Sequence, residues 1–178
     1  MDIEIPPDTK PVWDPIRPMN PKQRLVLVDW TRKLRDQGII EPSDSPWNTN
    51  VFFVPKKNGK LRCVQDLKRV NALTKNIPST LPRIADCLGT MGGAKWFSVW
   101  DLSAAYYGVG LSKKSRAYTA FTTPIGRYQW TRSVMGLKNS QQFLIHLTNY
   151  MLSDLQYECV MIYSDDGCNK LFGIIEHF

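Results

Sequence analysis

With 178 residues, 43% of them hydrophobic, the chain is long enough for one domain with a real core or for two small lobes sharing one, and its composition excludes a disordered chain. Lys and Arg number 23 against 16 Asp and Glu, a formal charge of +7, and the pI is near 9.3. That excess fits a polyanionic partner such as nucleic acid and fits equally a merely basic soluble protein. No apolar stretch approaches the ~20 residues of a membrane span. Cys63, Cys87, Cys159 and Cys168 form no CxxC pair near histidines, which argues against zinc. Cys63 and Cys159, in apolar runs, are expected as buried thiols.

The first segment, through Pro21, carries Pro6, Pro7, Pro11, Pro15 and Pro18 and reads as an extended arm on the surface. Its acidic, proline-containing start is unlike a signal or transit peptide. Asn20 followed by Pro21 predicts a helix start, and Gly38 its end, with apolar Leu25, Val28 and Leu34 at near-helical spacing between them. A turn-rich connector leads to two predicted strands, Val51–Pro55 and Leu61–Gln65. The Lys56-Lys57-Asn58-Gly59-Lys60 turn between them contains Asn-Gly, a strong hairpin signal. The tip is either a lysine-blunted loop or a cationic finger able to neutralise phosphates. Residues 66–76 predict a turn or short helix. Pro78 and Pro82 bracket an extended piece, and Arg83–Met91 suit a short helix before Gly92-Gly93. The aromatic run Trp96–Trp100 predicts a strand ending at Asp101. A second hairpin turns at Pro124–Arg127, and Asn139 or Ser140 caps a helix over Gln141–Leu155 whose apolar face is Phe143, Leu147, Tyr150 and Met151.

The apolar run Cys159–Tyr163 predicts a buried strand that stops at Ser164-Asp165-Asp166-Gly167. Asp166-Gly167 suits a type I′ turn, which alone would account for the doublet. Hard oxygen ligands at a rigid strand end also suit Mg²⁺ and phosphoryl chemistry. A third carboxylate decides between these, and Asp101 ends another aromatic-rich strand. If the two strands are neighbours, three carboxylates converge at one sheet edge, where two divalent ions could sit ~3.5–4 Å apart. The order of elements argues an α+β fold with helices on a mostly antiparallel sheet.

Several blocks, in order, resemble the fingers and palm of a reverse transcriptase, as in gypsy-type LTR retrotransposons and retrovirus-like Pol polyproteins. They include Arg17-Pro18-Met19-Asn20-Pro21-Lys22, Ser45-Pro46-Trp47-Asn48, Val54-Pro55-Lys56-Lys57-Asn58-Gly59-Lys60-Leu61-Arg62 and Leu81-Pro82-Arg83-Ile84. Gly92-Gly93-Ala94-Lys95-Trp96-Phe97-Ser98 with Asp101-Leu102, Thr119-Ala120-Phe121, Gly136-Leu137-Lys138-Asn139-Ser140 and Tyr163-Ser164-Asp165-Asp166 complete the set. The resemblance implies an extended arm at 1–20, a fingers-like region at 21–90 and a palm-like region at 91–178, without thumb or RNase H.

It further implies an RNA-directed DNA polymerase that adds dNTPs to a primer 3′-hydroxyl with two Mg²⁺ ions, Mn²⁺ being a possible substitute. Asp101, Asp165 and Asp166 would be catalytic metal ligands. Lys56 or Lys57, Arg62, Ala105, Tyr106, Met135 and Gly136 would bind nucleotide, with Tyr106 under the sugar. Lys138, Tyr163 and Ser164 would meet nucleic acid. The partners implied are an RNA or DNA template with primer, dNTPs and the other Pol domains (thumb, RNase H, integrase), with no membrane. The location implied is intracellular, cytoplasmic in a particle or nuclear. The alternative is a truncated element remnant that at most binds nucleic acid. Four features depart from the family pattern, one being the absence of a proline expected near Gln141. Val134 and Met135 stand where Pro and then Phe or Gln are usual, and Ser164 stands where an apolar residue is. Gly167-Cys168-Asn169-Lys170 follows Asp166 where the family has an apolar strand, so the hairpin is expected to lack support from behind.

Overall fold

A computed structural model describes residues 1–78, 83–156, 158–163 and 165–171. The proposed segment Leu81-Pro82 and the site residue Ser164 lie outside the described residues. In chain order the elements are α1 (Pro21–Asp36), β1 (Ile40–Pro42), β2 (Val51–Pro55), β3 (Leu61–Gln65), α2 (Lys68–Leu73), α3 (Ile84–Thr90), β4 (Trp96–Asp101), α4 (Lys113–Arg116), β5 (Phe121–Thr123), β6 (Gly126–Trp130), α5 (Ser140–Met151), β7 (Val160–Tyr163) and β8 (Asp166–Leu171), with short 3₁₀ turns at Ala105–Gly108 and Ala117–Thr119. The α+β class holds. The strands, however, form three separate antiparallel sheets rather than one, ordered β1-β6-β5, β2-β3 and β4-β8-β7. The chain divides into two compact units, Met1–Asn76 with Gly110–Ser140, and Ile77–Val109 with Gln141–Phe178.

In the first unit, α1 starts at a capping box. The Asn20 side chain accepts from Gln23 N, and the Gln23 side chain accepts from Asn20 N, so two otherwise unpaired amides are satisfied. It ends in a Schellman motif, with Gly38 N bonded to Arg35 O and Ile39 N to Leu34 O, and Gly38 at φ +67°. The helix packs through Leu27, Thr31 and Leu34, and Trp30 meets Phe121 at a tilt and Trp130 edge-on, both at 5.8 Å between ring centroids. Gln65, at the base of the β2–β3 hairpin, has both amide protons and its oxygen bonded in this core. Its nitrogen donates to Thr49 Oγ1 and Thr119 O, and its oxygen accepts from Trp130 Nε1. The N-terminal arm is not simply a surface strap. Ile3 and Val12 are buried, Ile3 N donates to Ser115 Oγ, and Trp13 bridges to Asn48. Apolar side chains before and between the prolines, Ile3 and Val12, give the arm something to bury.

In the second unit β8 is the central strand, paired with β4 on one side and β7 on the other. This corrects the expectation that no strand supports the Asp doublet from behind. It also removes Asp166-Gly167 from the turn, because Asp166 pairs with Tyr163 and Gly167 with Ile162. On α5 the buried face is Leu144, Ile145 and Thr148, whereas Tyr150 and Met151 are 83% and 69% exposed. The expected face was displaced by roughly one residue, about 100° around a helix. Cys63 is buried as expected, but Cys159 is only half-buried. No described helix is long and apolar enough to cross a membrane.

Candidate active site

The carboxylates sit where β4, β7 and β8 meet their ends. Asp101 pairs directly with Asp166 across β4 and β8, and Asp166 pairs in turn with Tyr163 of β7. Leu102 N donates to Asp165 O at 2.9 Å. Because Leu102 N bonds to Asp165 O, Asp101 and Asp166 occupy the adjacent, closer type of antiparallel position, with Cα atoms about 4.5 Å apart and side chains on one face. Asp101 and Asp166 are exposed and Asp165 is half-buried. The salt bridges among the described residues all use other carboxylates.

Directly opposed like charges destabilise a sheet by about 0.2–1 kcal/mol, so this pairing costs stability unless a cation offsets it. Hard oxygen donors, two of them exposed and none in a salt bridge among the described residues, suit a divalent ion. Among the described residues, though, no three His, Cys, Asp or Glu side chains are gathered closely enough to hold a metal. The register brings two carboxylates together and puts the third one residue away.

What lets a strand as polar as Gly167-Cys168-Asn169-Lys170 lie at the centre of the sheet is its neighbour. Trp100 lies over Gly167, where an added Cβ would fall 2.2 Å from its Cζ2, and Trp100 Nε1 donates to Asn169 Oδ1 at 2.9 Å. The Lys170 amine donates to Thr90 O, and its amide to Cys159 O. An aromatic ring placed over a cross-strand glycine covers backbone that the glycine leaves bare. Immediately after Asp101 the backbone is unusual. Ala104 has φ 55° and ψ 33°, left-handed values rarely taken by non-glycine residues, and it opens the 3₁₀ turn that contains Ala105 and Tyr106. Both of those are half-buried.

The remaining candidates belong to the first unit. Lys56 and Lys57 are exposed at the β2–β3 tip, where Gly59 N donates to Lys56 O, Lys56 N donates to Lys60 O, and Gly59 takes φ +74°. Asn58 is not left-handed, so Asn-Gly here builds a type I turn followed by a left-handed glycine rather than a type I′ turn. Arg62 Nη2 lies 3.1 Å from Met135 Sδ, both side chains being exposed. Gly136, at φ +88°, follows. Lys138 does not project freely, because its amine donates to Thr74 O at 2.6 Å. The structure thus groups Arg62, Met135, Gly136 and Lys138 in one unit and Asp101, Ala105, Tyr106, Tyr163, Asp165 and Asp166 in the other. Sequence reasoning missed Ala104, the Trp100–Gly167 packing and Asn71, whose side chain bonds to the 136–138 backbone. All three depend on partners distant in sequence or on a dihedral angle that composition does not reveal.

A family model described as Reverse transcriptase (RNA-dependent DNA polymerase) matches residues 54–168, and the chain belongs to that family. Among individual relatives, it is 35% identical over 141 residues to the retrovirus-related Pol polyprotein from transposon opus of Drosophila melanogaster, covering 75% of this chain and 14% of that protein. It is 34% identical over 161 residues to the Gag-Pro-Pol polyprotein of human T-cell leukemia virus 2, covering 84% of this chain and 11% of that one. Among solved structures, a foamy viral protease-reverse transcriptase in complex with RNA/DNA hybrid superposes with a TM-score of 0.83 at 25% identity, over 99% of this chain and 24% of its own. The native prototype foamy virus protease-reverse transcriptase gives 0.79 at 28% identity, over 90% of this chain and 21% of its own. The chain therefore spans less than a quarter of each of these relatives.

Proposed function

We propose that this chain is the fingers and palm part of an RNA-directed DNA polymerase that extends a primer by two-metal phosphoryl transfer. The observation that carries the reading is the direct pairing of Asp101 with Asp166, with Asp165 tied to the same strand end through Leu102 N. Family membership and the likeness to a reverse transcriptase held on an RNA/DNA hybrid support the substrate class.

In this reading Asp101, Asp165 and Asp166 hold the divalent ions. When bound, such ions lower the pKa of the primer 3′-hydroxyl and offset charge on the phosphate oxygens. The primer 3′-oxygen, its proton passing to solvent, forms a new bond to the α-phosphorus of the dNTP, the bond from that phosphorus to the α,β-bridging oxygen breaks, and pyrophosphate leaves with that oxygen. Arg62 and Lys56 or Lys57 neutralise the triphosphate, Arg62 offering a planar fork of donors and the lysines point charges. Tyr106 presents a ring under the sugar, and the backbone of Ala105 and Gly136 meets the nucleotide. Lys138, Tyr163 and Ser164 contact template or primer.

Primer extension on an RNA template with Mg²⁺ or Mn²⁺ tests this directly. Extension is expected from the folded chain and is expected to vanish in Asp165→Asn. A folded chain that binds RNA in a salt-sensitive manner but extends no primer would overturn the enzymatic reading and leave a nucleic-acid-binding remnant.

A further inference from the structure

The first unit contains a second polar assembly that no role above absorbs. Asn71, on α2, uses both ends of its side-chain amide on one short segment: Nδ2 donates to Gly136 O at 2.7 Å, and Oδ1 accepts from Lys138 N at 2.8 Å. Two neighbouring bonds repeat the stitch, Lys138 Nζ to Thr74 O at 2.6 Å and Asn139 Nδ2 to Lys75 O at 2.8 Å. The α2 end is itself pinned, because Thr74 Oγ1 donates to Val70 O and Val70 is fully buried. The segment being held needs holding. Gly136 is left-handed at φ +88°, no atom would touch a Cβ built on it, and Met135 beside it is 51% exposed. Residues 135 and 136 have no packing of their own; they are carried between buried Val134 and Leu137, whose backbones bond at 3.2 Å, and the Asn71 amide ties the backbone from Gly136 to Lys138.

We infer that Asn71 is a positioning residue for the nucleotide-facing segment Met135–Lys138, which sets the place of Met135 and the Gly136 backbone, and with Met135 that of the Arg62 guanidinium 3.1 Å away. The inference rests on the proposed nucleotide role of that segment. Asn is the residue that serves here: a neutral amide supplies one donor and one acceptor at once, whereas Asp supplies only acceptors and would set a carboxylate against the Gly136 carbonyl.

The test compares the wild-type chain with Asn71→Ala and Asn71→Asp, and with Ser43→Ala, which removes a 2.7 Å bond to Gln129 in the same unit as a stability control. Two readouts are taken: hydrogen exchange at the Lys138 amide, and KM and kcat for dNTP in primer extension. Asn71→Ala is expected to speed Lys138 exchange at least tenfold and to raise the dNTP KM about tenfold while kcat stays within about twofold. Asn71→Asp, which keeps the acceptor, is expected to hold the Lys138 amide and to fall between wild type and Ala in KM. Ser43→Ala is expected to move neither. Faster exchange with an unchanged KM would overturn the inference and leave the proposed function standing. Absence of extension by the wild-type chain would overturn both, and the exchange data would then still show whether the amide clamp exists.

Discussion

Two hairpins of this chain end in charge, and they are built in opposite ways. The β2–β3 hairpin is local. Its strands are joined by a five-residue turn whose conformation Asn58 and Gly59 specify, its base is held by Val51, Cys63 and Gln65, and its cationic tip is exposed. The β7–β8 hairpin is not self-supporting. Val160, Met161 and Ile162 are buried, but β8 carries Gly, Cys, Asn and Lys and becomes a central strand only because β4 lends it Trp100. A surface loop needs only its own turn chemistry. A strand end that presents paired carboxylates must be fixed by its neighbours, since the carboxylates themselves push apart.

The largest expected break in that comparison is at the carboxylates. Asp101→Asn should reduce primer extension by about a thousandfold or more, in line with removal of a preorganised charge at the reacting centre. In metal-free buffer the same variant should be more stable than wild type by about 0.2–1 kcal/mol in urea unfolding, because it relieves the Asp101–Asp166 opposition. Mg²⁺ should then stabilise wild type and not the variant; at ten times the dissociation constant the gain is about 1.4 kcal/mol. A variant that lost stability in metal-free buffer would contradict the view that the pairing is tolerated for the sake of a cation.

Next come the two glycines. Gly167→Ala forces a Cβ into the Trp100 ring, an overpacking expected to cost about 1–3 kcal/mol and to loosen the strand end. Gly59→Ala meets no neighbour and carries only the left-handed penalty, about 1–2 kcal/mol. The first should lower extension activity together with stability, and the second should lower stability alone. Smaller still, Lys57→Ala should raise the dNTP KM severalfold, with the effect fading as salt rises, and leave the unfolding midpoint in place.

The smallest effect concerns Cys63 at the base of the local hairpin. Burial pushes its thiol up to about 11 from 9.0, so the neutral form is favoured by folding. That contribution is fully present below pH 9 and is lost as pH rises through about 11. At pH 8, iodoacetamide should therefore label the half-buried Cys159 and Cys168 well before Cys63, as read by peptide mass spectrometry.

Much of the local architecture was legible in the residues. Asn20-Pro21 and Gly38 bound α1 by satisfying its terminal amides and carbonyls, and Asn58-Gly59 marked the first hairpin, because caps and turns are contacts between residues a few positions apart. Trp96–Asp101 read as a strand for its aromatic and β-branched content. The motif around Asp101 and Asp165-Asp166 carried the candidate site in the same way. The face of α5 was misjudged because a window of mixed apolar residues admits two neighbouring stripes, and packing selects between them. The strand after Asp166 was missed because its own side chains lack the alternation that marks a strand.

By itself, then, the sequence determined the helix ends, the first hairpin and its lysine tip, the strand leading to Asp101, and the carboxylates that define the candidate chemistry, all through short-range hydrogen bonding and side-chain character. Tertiary structure decided the rest. Cross-strand register placed Asp101 opposite Asp166, an indole from β4 made a glycine-containing segment into the central strand β8, and the Asn71 amide fixed a left-handed loop 65 residues away. Each of these needs two partners far apart in the chain, and only the fold brings them to the few ångströms over which hydrogen bonds and packing act.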